Sequence, residues 1–294
     1  MTGLDPRLHA FRPDLADESL RGRVEAARYV AGMSRRVTAP FAPLKRAPDE
    51  AAGLDTEILY GEIFHVFEDR EDGWSWGQLE TDSYVGYVPS AALGALGAEP
   101  THRVIALRTF LYPDADLKHP ALAVLPLGGR LALAGESETR GTLYRHVEGG
   151  GAVVACHVAP LDAPPAPDFV AVAGRFLGTP YLWGGRTSIG LDCSALVQLS
   201  LREAGMATPR DTDMQERALG EPVSLSNDRQ RGDLVFWKGH VGILESPDRL
   251  LHASGHHMEV VSEPLEDALA RIARSAGPPT SVRRLPGLDN IRAR

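Results

Sequence analysis

Apolar and polar residues alternate along three short segments in the last quarter of the chain, residues 233–237, 240–244 and 249–254. Alternation with period 2, bounded by glycines, is typical of half-buried β-strands. Because the segments follow one another closely, we expect them to be adjacent strands of one antiparallel sheet. Such a sheet is a rigid support for the polar side chains that its strands carry.

Two helices are predicted before this sheet. Residues 168–176 have a helical pattern that ends at Gly178, with Pro180 just beyond. The second helix begins where a glycine-rich turn leads into the apolar run after Cys193, and it ends near Gly205 by the same signal. Helices next to an antiparallel sheet predict an α+β fold for this part of the chain.

The first half of the chain is predicted to consist of short strands and turns. Residues 55–90 contain three alternating runs and an Asp-Gly turn at residues 72–73, a spacing that predicts a small β-barrel. Residues 104–160 repeat the same order of strands and glycine turns more weakly, which predicts a second barrel. Cys156 falls in an apolar run of this copy, and we interpret it as a core residue.

These patterns divide the chain into five segments. Four prolines between residues 159 and 167 prevent a helix or a central strand, so a semi-rigid linker is predicted there. The N-terminal extension suggests no function by its sequence. The predicted segments are the extension (1–36), the first barrel (37–97), the second barrel (98–160), the linker (161–167) and the helix-and-sheet domain (168–294).

Composition and charge narrow the class of protein. A chain of 294 residues with 43% hydrophobic and 24% charged residues is ordinary for a globular protein of two or three domains. The net charge of −8 argues against partners such as nucleic acid or an anionic membrane, which both favour a basic surface. The first residues lack a basic start followed by an apolar run, which predicts a cytoplasmic protein. The oligomeric state stays open.

Cys193 is the candidate nucleophile. It lies at the predicted start of a helix, where unpaired N–H groups and the helix dipole favour the thiolate. His240 and His252, carried by adjacent predicted strands, would serve as the general base and as the residue that orients it. The alternative is a buried, inert cysteine, and on the exposure expected for each thiol we predict that Cys193 alkylates faster than Cys156.

The ordered motifs resemble those of the NlpC/p60 cell-wall peptidases, over about the last 125 residues. One departure is Ala195, where that family often has glycine. The resemblance implies a papain-like catalytic domain with helices packed on an antiparallel sheet, preceded here by two small SH3-like β-barrels. The matching motifs are Tyr181-x-Trp183-Gly184-Gly185, Asp192-Cys193-Ser194, Pro209-Arg210, Arg231-Gly232-Asp233-Leu234-Val235-Phe236, His240-Val241-Gly242-Ile243 and His252-Ala253.

The same resemblance implies roles for further residues. The Tyr181 hydroxyl would help a backbone N–H stabilise the oxyanion, as a fourth catalytic residue. Asp192 is either a helix cap or a substrate contact, and the two roles are compatible. Trp183 is a packing residue at the mouth of the site or a substrate contact. The implied substrate-binding residues are Asp192, Ser194, Trp183 and, from the first barrel, Glu57 and Tyr84.

We therefore predict a cysteine peptidase that needs no cofactor or metal. The expected partners are peptidoglycan-derived peptides, cut between γ-D-glutamate and a diamino acid when the N-terminal L-Ala is free, in cell-wall recycling. Two alternatives remain: a broader cell-wall hydrolase or amidase, and a muropeptide-binding protein with little activity. Zinc could accept Cys193, His240 and His252 as ligands, but no nearby acidic ligand is evident in the sequence.

Overall fold

The computed structural model describes residues 3–225 and 229–286. It forms two compact units, Met1–Ala163 and Pro164–Arg294, so the division falls inside the predicted linker. The ends of the predicted extension and catalytic domain, residues 1–2 and 287–294, lie outside the described residues, as do residues 226–228. Within the part of the chain that is described, no helix is both long and apolar enough to cross a membrane.

The first unit contains a seven-stranded antiparallel sheet in the order β5-β4-β8-β7-β6-β3-β9. The predicted turn at residues 72–73 joins β6 to β7, and Gly73 has a φ of +88°, which a residue with a side chain rarely adopts. The apolar side chains of one face, among them Leu44, Ile58 and Phe64, form its core. Its strands are β3 (Met33–Val37), β4 (Phe41–Lys45), β5 (Leu54–Leu59), β6 (Ile63–Asp69), β7 (Trp74–Leu79), β8 (Val85–Pro89) and β9 (Leu93–Gly94).

The N-terminal extension packs on this sheet. Two short parallel strands, β1 (Ala16–Asp17) and β2 (Tyr29–Val30), lie within it. Ala10 and Leu15 of the extension pack against Trp76 of β7. The Arg12 guanidinium lies 4.3 Å from the centroid of the Trp76 ring, and it donates to Glu68 at 2.8 Å and to the Tyr87 hydroxyl at 2.7 Å. The extension therefore shares a core with the first barrel.

Residues 98–160 form three small sheets around a common apolar core that includes Val104, Leu125 and Val153. Their description as a second SH3-like barrel stays a prediction. The strands are β10 (His102–Val104), β11 (Arg108–Leu111), β12 (Ala123–Pro126), β13 (Arg130–Leu131), β14 (Leu133–Thr139), β15 (Thr142–Val147), β16 (Ala152–Val154) and β17 (Val158–Pro160).

The interpretation of Cys156 as a core residue is wrong. Strand β16 ends at Val154, and a 3-10 turn over Ala155–His157 directs Cys156 to the surface, where it is a free, exposed thiol. The apolar run predicted that the strand continues through Cys156. In the 3-10 turn, however, successive side chains no longer point to alternate faces of a sheet.

The second unit contains a six-stranded antiparallel sheet in the order β20-β25-β21-β22-β23-β24 and four helices. The three strands predicted from alternation are its central β21, β22 and β23. The elements are α1 (Phe169–Gly174), β18 (Arg186–Thr187), β19 (Gly190–Leu191), α2 (Cys193–Glu203), α3 (Thr212–Ala218), β20 (Glu221–Val223), β21 (Leu234–Trp237), β22 (His240–Ser246), β23 (Arg249–Ser254), β24 (Glu259–Pro264), α4 (Leu265–Ala276) and β25 (Ser281–Arg284).

Both predicted helices are present and capped. The Asp168 side chain accepts hydrogen bonds from two backbone N–H groups at the start of α1, and α2 packs against α1, β22 and β23. Part of the predicted linker belongs to this unit, because the Ala166 N–H donates to the Glu203 carbonyl at 2.7 Å. On the sheet, Leu244 and Leu250 pack in one cluster with Leu265 of α4.

The contacts of Arg12 predict that the extension stabilises the first unit. We expect Arg12→Gln to lower the free energy of unfolding of this unit by about 1–3 kcal/mol, because Glu68 and Tyr87 lose a charged donor in a partly buried place. Urea unfolding followed by tryptophan fluorescence measures the change. The exposed Arg23 is the matched control, and Arg23→Gln should change little. Equal stability of the two variants would contradict the role of Arg12.

Candidate active site

Helix α2 begins at Cys193 because Asp192 caps it. One carboxylate oxygen of Asp192 accepts from the Ala195 N–H at 2.8 Å, and the other accepts from the Gly184 N–H at 3.0 Å. Gly184 has a φ of +76°, and a Cβ at Gly185 would lie 2.5 Å from the Gly190 carbonyl oxygen. The paired glycines of the motif are therefore required to bring this turn against the helix start.

A buried ion pair supports the cap. Arg210, in the segment before α3, is 1% exposed and donates to both oxygens of Asp192, at 2.9 and 2.8 Å. It also donates to the Ser194 hydroxyl at 2.8 Å, and this hydroxyl donates to Asp192. Asp192 and Ser194 therefore stabilise the start of α2 through these hydrogen bonds. Their contact with substrate stays a prediction.

Cys193 is 5% exposed, and its environment is less polar than a helix start suggests. Burial raises the pKa of the thiol to about 11, and the Asp192 carboxylate adds to this. A hydrogen bond from the Val241 backbone and the Thr212 hydroxyl, 4.0 Å from the sulfur, favour the thiolate but are outweighed. Burial therefore favours the neutral thiol over the thiolate that the helix start predicts.

The same burial changes the comparison of the two thiols. Exposure favours alkylation of Cys156, and only a neighbouring base would favour Cys193. The prediction that Cys193 alkylates faster than Cys156 assumed that Cys193 is the exposed thiol, whereas the exposed thiol is Cys156.

The two predicted histidines meet. His240 begins β22, directly before the residue whose backbone contacts the thiol, and its Nε2 lies 2.7 Å from Nδ1 of His252 on β23. His252 is fully buried, whereas His240 is half-buried. Burial lowers the pKa of both rings, that of His240 to about 3, so both imidazoles are neutral at physiological pH and His240 can accept a proton.

Glu263 is a third member of this chain of hydrogen bonds, and no sequence pattern predicts it. His252 Nε2 lies 2.7 Å from a carboxylate oxygen of Glu263 on β24, and Arg271 of α4 pairs with the same oxygen. Burial opposes ionisation of Glu263, but the hydrogen bond from His252 and the charge of Arg271 outweigh it and lower the pKa to about 2. Glu263 is opposite Leu250, two residues before His252, a register that no local pattern reveals.

Tyr181 lies near Cys193. Its backbone N–H donates to the Met258 carbonyl at 2.9 Å, and its ring lies against Gly255. Burial raises the pKa of the phenol, and Cys193 and Asp192, which are negative when ionised, raise it further. Tyr181 therefore keeps its proton and is available as a hydrogen-bond donor near the sulfur.

The other predicted residues are placed as follows. Trp183 is 65% exposed on the loop after Tyr181, which suits a surface contact more than a packing role. Glu57 lies on β5, paired with Pro43, and Tyr84 is buried with the core of the first barrel. Substrate binding by these residues stays a prediction.

Within residues 3–225 and 229–286, no three side chains of His, Cys, Asp or Glu are grouped as metal ligands would be.

Comparison with known families agrees with this geometry. The model of the NlpC/P60 family matches residues 178–271, which include Cys193, His240, His252 and Glu263. A second model, described as the bacterial dipeptidyl-peptidase Sh3 domain, matches residues 44–93 of the first barrel. The chain belongs to the NlpC/P60 family, and it is a peptidase of that family with an SH3-like domain before the catalytic one.

Two curated relatives span most of the chain. A gamma-D-glutamyl-L-lysine dipeptidyl-peptidase of Bacillus cereus is 30% identical over 253 residues, which cover 72% of this chain and 71% of that protein. Dipeptidyl-peptidase 6 of Lysinibacillus sphaericus is 27% identical over 243 residues, 76% of this chain and 88% of the relative. A solved NlpC/P60 family protein of Bacillus cereus has the same fold, with a TM-score of 0.71 at 22% identity over 86% of this chain and 99% of its own.

The placement of Cys193 predicts that its thiol is essential. We expect Cys193→Ala to lower the turnover of a peptide substrate by at least about a thousandfold, as loss of a nucleophile does, without unfolding the protein. The matched control is Cys156→Ser, which changes the exposed thiol and should keep full turnover. Circular dichroism confirms folding of both. Activity retained by Cys193→Ala would show that another group performs the attack.

The low pKa of His240 predicts an acid-tolerant enzyme. His240 must be neutral to accept the thiol proton, and burial keeps it neutral below the ordinary imidazole value of about 6.5. The acid limb of kcat/KM should therefore lie below pH 6.5. Because the unfolded chain binds more protons than the native one between these values, stability should also decrease as pH falls from 6.5. Circular dichroism at each pH separates the two effects, and a limb at or above pH 6.5 would contradict the lowered pKa of His240.

Proposed function

We propose that this protein is a cysteine peptidase that hydrolyses the γ-D-glutamyl–diamino acid bond of peptidoglycan stem peptides with a free N-terminal L-Ala. The observation that carries the proposal is the hydrogen-bonded pair His240 and His252 beside a thiol at the start of α2. A nucleophile, a base and a group that orients the base are the parts that acyl transfer requires.

Attack begins from a neutral thiol. His240 takes the Cys193 proton as the sulfur bonds to the substrate carbonyl carbon, because burial disfavours a separate thiolate. The Cys193 N–H, which at the first helical position has no partner within the helix, and the Tyr181 hydroxyl donate to the oxyanion. Imidazolium at His240 then protonates the leaving amine, and the C–N bond breaks to leave a thioester on Cys193.

Hydrolysis of the thioester repeats these roles. Neutral His240 takes a proton from water, the water oxygen attacks the thioester carbonyl, and the same donors stabilise the second oxyanion. Return of the proton to sulfur releases the γ-D-glutamyl product and restores the thiol. Since Cys193 and His240 both start and finish neutral, each half-reaction creates charge only in its transition state and intermediate.

The names of the relatives support the substrate. Both are named dipeptidyl-peptidases, and one is named for the γ-D-glutamyl-L-lysine bond. A dipeptidyl-peptidase removes two residues from an amino terminus, so such an enzyme distinguishes a free amine from a blocked one. We propose the same requirement here, with soluble wall fragments as substrates in cytoplasmic recycling. The preferred diamino acid is found by comparing the cleavage rates of otherwise identical peptides that contain lysine or diaminopimelate.

Amine recognition needs a carboxylate, because a desolvated ammonium is costly without an opposite charge. Asp192 already binds Arg210 through both oxygens, so it offers the substrate only part of its capacity. Glu57 and Tyr84 stay our predictions for this role. A broader wall hydrolase, or a muropeptide-binding protein with little activity, remains the alternative if the amine proves irrelevant.

The free amine predicts strong discrimination between two tripeptides. We expect L-Ala-γ-D-Glu-diaminopimelate to be cleaved with a kcat/KM at least about a hundredfold above that of its N-acetyl derivative, because acetylation removes a charge that would pair with buried acceptors. Chromatography of the released L-Ala-γ-D-Glu measures both rates. Cys193→Ala is the blank for each substrate.

Each outcome selects one function. Equal cleavage of the two peptides would favour the broader hydrolase, and binding of both without turnover would favour the muropeptide-binding protein. Cleavage of an L-Ala-D-Glu α-peptide at the same rate would contradict specificity for the γ-linkage.

A further inference from the structure

Glu263 lies at the end of a line of hydrogen bonds that crosses three strands. His240 on β22 contacts His252 on β23, and His252 contacts Glu263 on β24, each at 2.7 Å. Arg271 of α4 pairs with the carboxylate oxygen that His252 contacts. His257 is also near this carboxylate, with its Nε2 3.6 Å from the second oxygen.

This arrangement determines where the protons lie. An ionised carboxylate can only accept, so His252 Nε2 must donate and carries the proton. In a neutral imidazole the other nitrogen is then an acceptor, so His252 Nδ1 accepts from His240 Nε2. His240 consequently has its proton on Nε2 and a free lone pair on Nδ1, which is the form that can accept the thiol proton.

We propose that Glu263, held by Arg271, is a positioning residue that fixes the tautomers of His252 and His240 and stabilises the imidazolium formed during attack. The inference rests on the proposed function, in which His240 is the base. No bond to Glu263 forms or breaks. The carboxylate stays ionised while the proton moves only between Cys193, His240 and the leaving group.

Loss of the carboxylate would release the tautomers. Without Glu263, His252 can protonate Nδ1 and donate to His240 Nε2, which leaves the only proton of His240 on the nitrogen that should act as the base. A wrong tautomer of this kind disables a catalytic histidine even when its position is unchanged. The negative charge also favours the protonated form of both rings, so its removal should make His240 a weaker base.

Three variants separate these effects. Glu263→Leu removes the acceptor and the charge, whereas Glu263→Gln removes the charge but keeps an acceptor oxygen. Glu266→Leu is the matched control, because Glu266 lies three residues further along the chain and pairs with Arg229. All three are made with Cys156→Ser, so that the labelling experiment below has one thiol.

Nitrogen NMR of histidine-labelled protein reads the tautomers directly and needs no substrate. We expect protons on Nε2 of both rings in the wild type, in Glu263→Gln and in Glu266→Leu, and mixed or reversed tautomers in Glu263→Leu. The rate of iodoacetamide alkylation of Cys193 should fall in Glu263→Leu alone, since His240 no longer assists removal of the thiol proton. Unchanged tautomers in Glu263→Leu would overturn the proposal.

Kinetics on the free tripeptide give a second readout. We expect kcat to fall by about 10- to 100-fold in Glu263→Leu with KM unchanged, a part of the 10²- to 10⁴-fold that general-base catalysis supplies. Glu263→Gln should lose less and should move the acid limb of kcat/KM to lower pH. These profiles are measured with His257→Gln in every protein, so that the neighbouring imidazole cannot produce the shift.

In Glu263→Leu the Arg271 guanidinium loses its counterion, and an unpaired charge in this partly buried place destabilises the fold. The double variant Glu263→Leu, Arg271→Leu removes both charges of the pair together, which is tolerated better than removing one. It should fold and show the same tautomer change and kcat loss. A fall in kcat with normal tautomers and an unmoved acid limb would reduce Glu263 to a structural role. If the wild type cleaves no stem peptide, the proposed function fails, whereas NMR and alkylation still decide the role of Glu263.

Discussion

The buried ion pair between Asp192 and Arg210 is the constraint on which the site depends. Two charges with 8% and 1% exposure cannot separate without each losing a close, buried counterion, so the segments that carry them must stay together. Through Asp192 the pair also holds the turn at Gly184 and the first turn of α2. The position of the Cys193 sulfur therefore depends on an ion pair formed by the residue directly before it.

The strands of the two histidines and the helix of Cys193 were predictable because their signals are local. Alternation predicted β22 and β23, and a glycine-rich turn before an apolar run predicted α2. Glu263 was not predictable, since its contact with His252 depends on how β24 is registered against β23. The ionisation state of Cys193 was hard to predict for a related reason. A helix start, which favours the thiolate, is visible in the sequence, but the burial that favours the neutral thiol comes from segments distant in the chain.

Proton transfer in this site is set by burial more than by charge. Two imidazoles and a thiol that are neutral together form a resting state with no ion pair, unlike a preformed thiolate with an imidazolium. Within this chain of hydrogen bonds the permanent charge is on Glu263, at the end away from His240, and it is balanced by Arg271. Beside Cys193 the charge of Asp192 is balanced in the same way by Arg210.

Because the extension and the first barrel share a core, the structural domain is longer than the segment that the family model matches. The family model for this domain begins at residue 44, yet Ala10 and Leu15 cover Trp76 from outside that boundary. A gene fusion that transferred only the recognised domain would carry an uncovered aromatic face and leave Glu68 and Tyr87 without Arg12. The backbone carbonyls of Arg7 and Leu8 also accept hydrogen bonds from strands of this barrel. Recombination is therefore expected to move the barrel together with its preceding segment, and a shuffled library should place its crossovers before residue 7.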